Sequence, residues 1–389
     1  MIPPKNRRKK GEGSIYRRPD GKYTVRITRN GEQRSEVCSS LKDAERKLKE
    51  FRRLAFTDAP LPPTVPVHQA IESWLKGVKL GSLKASSFDR LEQTYLVHVQ
   101  DSPVGRSQLG NLRTEDIQRL IDDVAAEYSY STVKKVRDLL REFLKYQVAS
   151  RVLAYDPSAL IVLPSPENVA VKVRQRAIFT TEELKRIEAL MDMTYPSSSE
   201  PMYRHAALFV LIANTGLRAG EALALRWEDV HLDGKVQTIY VHANASVIKN
   251  RSATAERKQQ TVIGSTKTKH GVRTVPLNET AVKALNWLRN YQATHGIDSC
   301  FVDCNDKGQL MAQSGLPKIL KRVLEAASVP YRNVHMFRHT AATRMIEAGA
   351  DVKTVSSILG HSSVGVTYDL YVHPTLESAT RAVDTLVTQ

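Results

Sequence analysis

The sequence predicts an α+β protein of several modules. A small three-stranded sheet with one helix comes first, then an all-α domain, then a mainly α domain carrying a small antiparallel sheet. Three observations predict this. Residues 14–40 alternate apolar and polar side chains between turn signals. Helical apolar spacing dominates from residue 67 to about residue 153, and mixed strand and helix patterns follow. Proline-rich stretches at 57–66 and 163–176 separate these segments as linkers. A chain of 389 residues also exceeds one ordinary domain, and 41% hydrophobic residues can fill several cores.

Residues 1–10 are polar and basic with two prolines, and read as a disordered tail. Residues 11–56 form the first module. Tyr23, Val25 and Ile27 point one way, and Thr24, Arg26 and Thr28 the other. "PDG" at 19–21 and "RNG" at 29–31 are hairpin turns. A helix follows, with Ser40 as cap and Leu41, Ala44, Leu48 and Phe51 on one face.

Residues 64–163 form the all-α module. Its helices carry Val67, Ile71, Trp74 and Leu75, then Ile117, Leu120, Ile121 and Val124 behind a Thr114 cap. A third helix carries Val133, Val136, Leu140, Phe143 and Leu144. Residues 175–389 form the last module. Thr180 and Glu183 are spaced as a capping box. A helix runs through "MYRHAALFVLIANTG". Strands are expected at "VQTIYVHA", "QQTVIG" and "VRTVPL", and helices at "LPKILKRVLEAA", "TAATRMIEAG" and "DVKTVSSILG". At the C-terminus, Leu376, Ala379, Val383 and Leu386 form a narrow helical stripe, suited to its own domain or to a neighbouring copy. There is no internal repeat.

The net charge of +16 points to a polyanion, most simply nucleic acid. Residues 1–56 hold 17 Lys+Arg and 7 Asp+Glu, so 17 − 7 = +10 of that charge lies there. No apolar run is long enough for a bilayer, and "MIPPKNRRKK" lacks the apolar stretch of a signal peptide, so no membrane association is expected. Cys38, Cys300 and Cys304 make no disulfide framework and read as free thiols in a reducing cytoplasm.

Four stretches of the last module carry chemistry. "TGLRAGEALALRW" places Arg218 at a helix start, just after Gly216. "STKTKHGVRTVPL" reads as a hairpin with Lys267 and Lys269 near its tip. "HMFRHTAATRM" puts His335 and Arg338 one helical turn apart. His361 follows Gly360, and Tyr371 comes ten residues later. Each alone has a bland reading as a helix cap, a basic loop or a surface pair. Together they suit attack on a phosphodiester. Arginine forks bind nonbridging phosphate oxygens and neutralise the charge that grows in the transition state. A phenol is a poor nucleophile at a pKa of about 10, but cations lower that value and a histidine can take the proton. A lysine can protonate the departing hydroxyl. This chemistry requires no metal and no other cofactor, and no Mg²⁺-binding carboxylate cluster is evident.

These boxes, with "LGHSSVGVTYDLYVH", resemble those of the tyrosine recombinases, or phage integrases, in the right order and across the whole of the last module. The resemblance extends in architecture to an α-helical core-binding domain and to the small arm-binding domain of the integrase branch. It implies that Arg218 is the first phosphate-clamping arginine, supported by Glu221. Lys267 is the lysine that protonates the leaving group, with Lys269 as the alternative register. His335 and Arg338 are the His-x-x-Arg pair, and His361 is the later phosphate-side histidine. Tyr371 is the nucleophile that forms a 3′-phosphotyrosine, and Tyr368 is assigned to packing or the phosphate side.

The implied partners are double-stranded DNA at core and arm attachment sites and a homotetramer on that DNA, with an excisionase or DNA-bending protein as accessory factor. The implied location is the cytoplasm, on the nucleoid. The N-terminal module favours the integrase of a phage or conjugative element over a chromosome-dimer resolvase. The alternatives are a type IB topoisomerase and a non-catalytic DNA-binding regulator.

Overall fold

A computed structural model describes residues 13–29, 32–55, 64–172, 177–252, 258–266, 269–361 and 363–371. The chain divides into two compact units, residues 1–174 and 175–389. The C-terminal stripe, the 30–31 turn and most of the first proline-rich stretch lie outside the described residues.

The first unit holds two separate hydrophobic cores. In one, strands β1 (Ser14–Arg17), β2 (Tyr23–Arg29) and β3 (Glu32–Cys38) form an antiparallel sheet with β2 central. Ile15 lies opposite Val25, and Val25 opposite Glu36. Helix α1 (Leu41–Ala55) packs on this sheet. Its first turn is held by Ser40, whose Oγ accepts from the Asp43 amide at 3.2 Å. Val25, Ile27, Cys38, Ala44 and Leu48 make the core. Two side chains depart from the expected faces. Leu41 stays 48% exposed at the helix start, where it precedes the turn that meets the sheet, and Thr24 is buried on the face expected to be outward.

The second core is all-helical. It is built from α2 (Val67–Trp74), α3 (Ala85–His98), the single turn α4 (Pro103–Arg106), α5 (Thr114–Glu127) and α6 (Tyr130–Ala149). Helix α2 continues as a π-helical turn over Leu75–Lys79. The expected apolar stripes are the buried ones: Ile71, Ile117, Val133 and Phe143 are each 0% exposed. The α5 cap differs from the expected one. Arg113 is the N-cap and Thr114 the first helical residue, because the Asp116 carboxylate accepts from the Arg113 amide at 3.1 Å.

The second unit opens with α7 (Thr181–Ala189). The Glu183 carboxylate accepts from the Thr180 amide at 2.8 Å, and Thr180 Oγ1 accepts from the Glu183 amide at 3.2 Å. Helix α8 (Ala206–Thr215) is apolar on nearly every side and is therefore the buried axis of this unit. Against it pack α7, α10 (Glu279–Thr294), α11 (Leu316–Ala326) and α12 (His335–Glu347). Phe337 stacks between Phe179 and Phe209, with ring centroids 4.3 and 5.7 Å away. The short helix α9 (Ala219–Ala224) follows α8, and α13 (Val352–Leu359) and α14 (Val364–Tyr371) close the described chain.

The sheet region corrects one expectation. Strands β4 (Val230–His231), β5 (Thr238–Val241) and β8 (Arg273–Pro276) form one sheet, and β6 (Ala243–Lys249) and β7 (Gln259–Ser265) form another. The segment with Lys267 and Lys269 is therefore not a hairpin tip. β7 pairs with β6, up to Ala243 opposite Ser265, whereas β8 pairs with β5, from Val241 opposite Arg273. β7 and β8 thus pair with two successive strands, β6 and β5, that run on from one another on either side of His242, and the described part of the link between them includes a single 3-10 turn at Lys269–Gly271. Alternation within β7 and β8 reveals each strand but not which partner it takes.

Candidate active site

The site lies where the ends of α8, α12 and α13 meet the N-terminus of α9 and the start of β8. Gly216 ends α8 and Gly360 ends α13, both left-handed at φ +67°. Glycine adopts this conformation without the Cβ penalty other residues meet. The turn after Gly216 delivers Arg218 to the N-cap of α9, and the turn after Gly360 delivers His361.

Glu221 is the anchor. It is 3% exposed and sits one turn into α9. Its carboxylate accepts from Arg218 Nη1 at 2.7 Å and from the Arg218 amide at 2.9 Å. It also accepts from Arg273 Nη2 at 2.9 Å and Arg273 Nη1 at 3.3 Å. Burial alone would raise the Glu221 pKa. The hydrogen bonds and charge of Arg273, then the charge and amide of Arg218, outweigh it and hold the carboxyl below its ordinary range. Glu221 therefore stays ionised and fixes two cations.

The two expected arginines differ in setting. The Arg218 side chain is 38% exposed, and its Nη2 donates to the Gly360 carbonyl at 3.2 Å. Arg338, on the first turn of α12, is 1% exposed. Its Nη1 donates to the Gly216 carbonyl and its Nη2 to the Leu359 carbonyl, each at 2.8 Å. Arg338 thus ties together the ends of α8 and α13, the two turns that present Arg218 and His361.

His335 opens α12, and its ring meets the edge of His339 at a centroid distance of 4.7 Å. His361 Nδ1 and Thr367 Oγ1 share a hydrogen bond of 2.7 Å, which fixes the ring from within α14. Burial first, and then the charges of Arg338, Arg218, Arg273 and His335, push the His361 pKa down to about 4. The ring is neutral at pH 7. In the unfolded chain an imidazole titrates near 6.5, so between pH 6.5 and about 4 the unfolded chain binds more protons than the folded one. Stability from this group is fully present above pH 6.5 and is lost as pH falls toward 4. We therefore expect the unfolding temperature to fall more steeply across this window in the natural protein than in His361→Gln. Calorimetry at stepped pH measures it, and parallel profiles would contradict the assignment.

The described structure thus brings Arg218, Glu221, Arg338 and His361 together, with His335 beside them. Lys267 lies outside the described residues, and Lys269 is described in backbone alone. Tyr371 is the last residue of α14 and is likewise described in backbone alone. Tyr368, in the same helix, is 54% exposed. Sequence reading missed Arg273 and Thr367. Arg273 had a signal: it stands in the inward register of β8, where Val275 is also buried, and a cation there needs a buried partner. Thr367 had none. Among the described residues no group of three His, Cys, Asp or Glu could hold a metal ion, and no helix could cross a membrane.

A carboxylate-held pair of guanidinium groups, beside a third arginine and a neutral histidine, has the chemistry to bind a phosphate group. The comparisons agree with that class. Residues 179–377 match the model of the phage integrase family. A tyrosine recombinase XerC-like protein of Caldanaerobacter subterraneus subsp. tengcongensis is 31% identical over 336 residues, 83% of each chain. The integrase of the Tn1549 transposon, solved in complex with transposon right end DNA, aligns with a TM-score of 0.66 at 19% identity. That alignment covers 83% of this chain and all of the other. A lambda integrase tetramer bound to a Holliday junction aligns with a TM-score of 0.55 at 15% identity, over 95% of this chain and 99% of that one. The chain belongs to the phage integrase family and is a site-specific tyrosine recombinase.

Proposed function

We propose that this recombinase is the integrase of a mobile element, cutting and rejoining double-stranded DNA through a 3′-phosphotyrosine on Tyr371. The observation that carries the chemistry is the convergence of Arg218, Arg338 and His361 at the turn leading into α14, the helix that ends at Tyr371. In this reading the Tyr371 hydroxyl attacks the scissile phosphorus and the bond from phosphorus to the 5′ oxygen breaks. His335 takes the phenolic proton. Lys267, or Lys269 in the other register, gives a proton to the departing 5′ oxygen. Arg218 and Arg338 neutralise the charge that develops on the nonbridging oxygens. Neutral His361 adds a hydrogen bond on the phosphate side. A 5′-hydroxyl from the partner duplex then reverses the linkage, so the bond energy is conserved and ATP is not consumed. Alternate cutting and joining of four strands calls for four subunits on two duplexes, as in the lambda integrase tetramer on its junction.

The N-terminal module supports the mobile-element role. Residues 1–56 carry +10 net charge (17 Lys+Arg against 7 Asp+Glu). They include a three-stranded sheet whose Arg26 is exposed, a size and charge suited to a DNA groove. The names of the curated relatives favour a second reading, a XerC-type chromosomal recombinase. Truncation separates the two. A chain beginning at Thr64 should still cleave core DNA but lose binding to separate arm-type sites and integration between two duplexes. Arm binding by the full chain should fall steeply with salt. Equal joining by the full and truncated chains favours the chromosomal reading. A plasmid relaxed without any partner duplex favours a topoisomerase.

A further inference from the structure

Arg273 does not appear in the mechanism above, yet it has the most connected side chain at the site. It is 8% exposed on β8. Its three nitrogens reach three different segments. Nη2 and Nη1 donate to Glu221, the residue that holds Arg218. Nη1 also donates to the Gly271 carbonyl at 3.0 Å, at the neck of the loop spliced between β7 and β8. Nε donates to the Ile358 carbonyl at 2.5 Å, in the last turn of α13 before Gly360 and His361.

The neck is tight. A Cβ placed on Gly271 would lie 2.5 Å from Thr266 Cβ, so Gly271 packs directly against Thr266. Gly360 closes over the same guanidinium, since a Cβ there would lie 3.0 Å from Arg273 Nη1. A lysine carries its three donors on one nitrogen, and could not span acceptors that a planar guanidinium reaches from three separate nitrogens.

We propose that Arg273 is a positioning residue for the recombinase reaction: through Glu221 it sets the Arg218 guanidinium, and through Gly271 and Ile358 it holds the start of β8 and the His361 turn in register with it. This inference rests on the clamp role given to Arg218 above. It makes α9, β8 and α13 one rigid frame around the phosphate rather than three independent supports.

The test is a double-mutant cycle read by single-turnover covalent trapping on a nicked substrate, using the full chain. Arg273→Lys should slow trapping about 100-fold, the scale of a misplacement of about 1 Å at the reacting atoms. Half-site DNA affinity and unfolding temperature are measured on the same samples, and affinity should stay within about threefold, because Arg273 is buried and its donors are taken by protein acceptors. In an Arg218→Lys background, which keeps a residual rate, Arg273→Lys should cost much less, because the residue it positions is already compromised. Equal losses in both backgrounds would overturn the proposal, and so would an unchanged rate in the single variant. Normal trapping by Arg218→Lys itself would instead sink the clamp reading, and this inference with it. Should Arg273→Lys fail to fold, Glu221→Gln carries the same expectation. It keeps the side chain's shape and removes only the charge both arginines share. A loss that persists undiminished beside Arg218→Lys would again overturn the proposal.

Discussion

Tyr371→Phe should form no covalent complex with DNA while binding a half-site with unchanged affinity. The substitution keeps the ring and removes only the oxygen that would bond to phosphorus. The loss should therefore be complete rather than partial. Tyr368→Phe is the internal control. Tyr368 is 54% exposed in the same helix, α14, and lies three residues earlier, within the last turn. Its variant should trap DNA at close to the natural rate. Trapping is read on a nicked duplex that loses a short 5′-hydroxyl fragment, so the reverse reaction has no partner strand. If Tyr371→Phe still traps and Tyr368→Phe does not, the assignment of the nucleophile is wrong.

The arginines should show the next largest effects, and they should differ from each other. In the proposed mechanism each stabilises charge that appears only in the transition state, so each alanine variant should lose about 10²–10³ in cleavage rate with a much smaller loss of affinity. Their structural settings predict a second contrast. Arg218 has a side chain 38% exposed, and its loss leaves Glu221 paired with Arg273. Arg218→Ala should therefore unfold at nearly the natural temperature. Arg338 is 1% exposed and satisfies the carbonyls of Gly216 and Leu359. Arg338→Ala strands both acceptors in a buried site, at about 1–3 kcal/mol each. For a unit of this size that is a fall of several degrees in unfolding temperature. Kinetics and calorimetry on the two proteins check both statements. Equal stability would mean that Arg338 does not tie α8 to α13, and normal cleavage by Arg218→Ala would remove the clamp.

Much of the architecture was legible in the sequence because local rules set it. Alternation across Tyr23–Ile27 marks a strand, and the Thr180 and Glu183 capping box starts α7 where the spacing says it must. The apolar stripes of α5 and α6 are the buried ones, since a helix at the surface of its unit buries one face and leaves the other in water. What was not legible depends on partners distant in sequence. The strand partner of β7 is β6, whose residues carry no clear alternation signal of their own, and pairing of β7 with β8 is the simpler expectation from sequence. Thr114 looked like a cap, yet Asp116 reaching back to the Arg113 amide moves the boundary by one residue. Four of the candidate residues, Arg218, Glu221, Arg338 and His361, were named from motifs alone and converge in space. That Glu221 holds a second arginine is invisible to local motifs, because that arginine comes from β8, 52 residues further along the chain.

The most direct measurement of the central claim is the chemical identity of the protein–DNA bond. The natural chain is trapped on a nicked core substrate, digested, and the peptide that carries the nucleotide is sequenced by mass spectrometry. The account predicts a single phosphodiester from the 3′ end of the cleaved strand to the Tyr371 oxygen. An adduct on Tyr368, an adduct through the 5′ end, or cleavage with no covalent protein would contradict it.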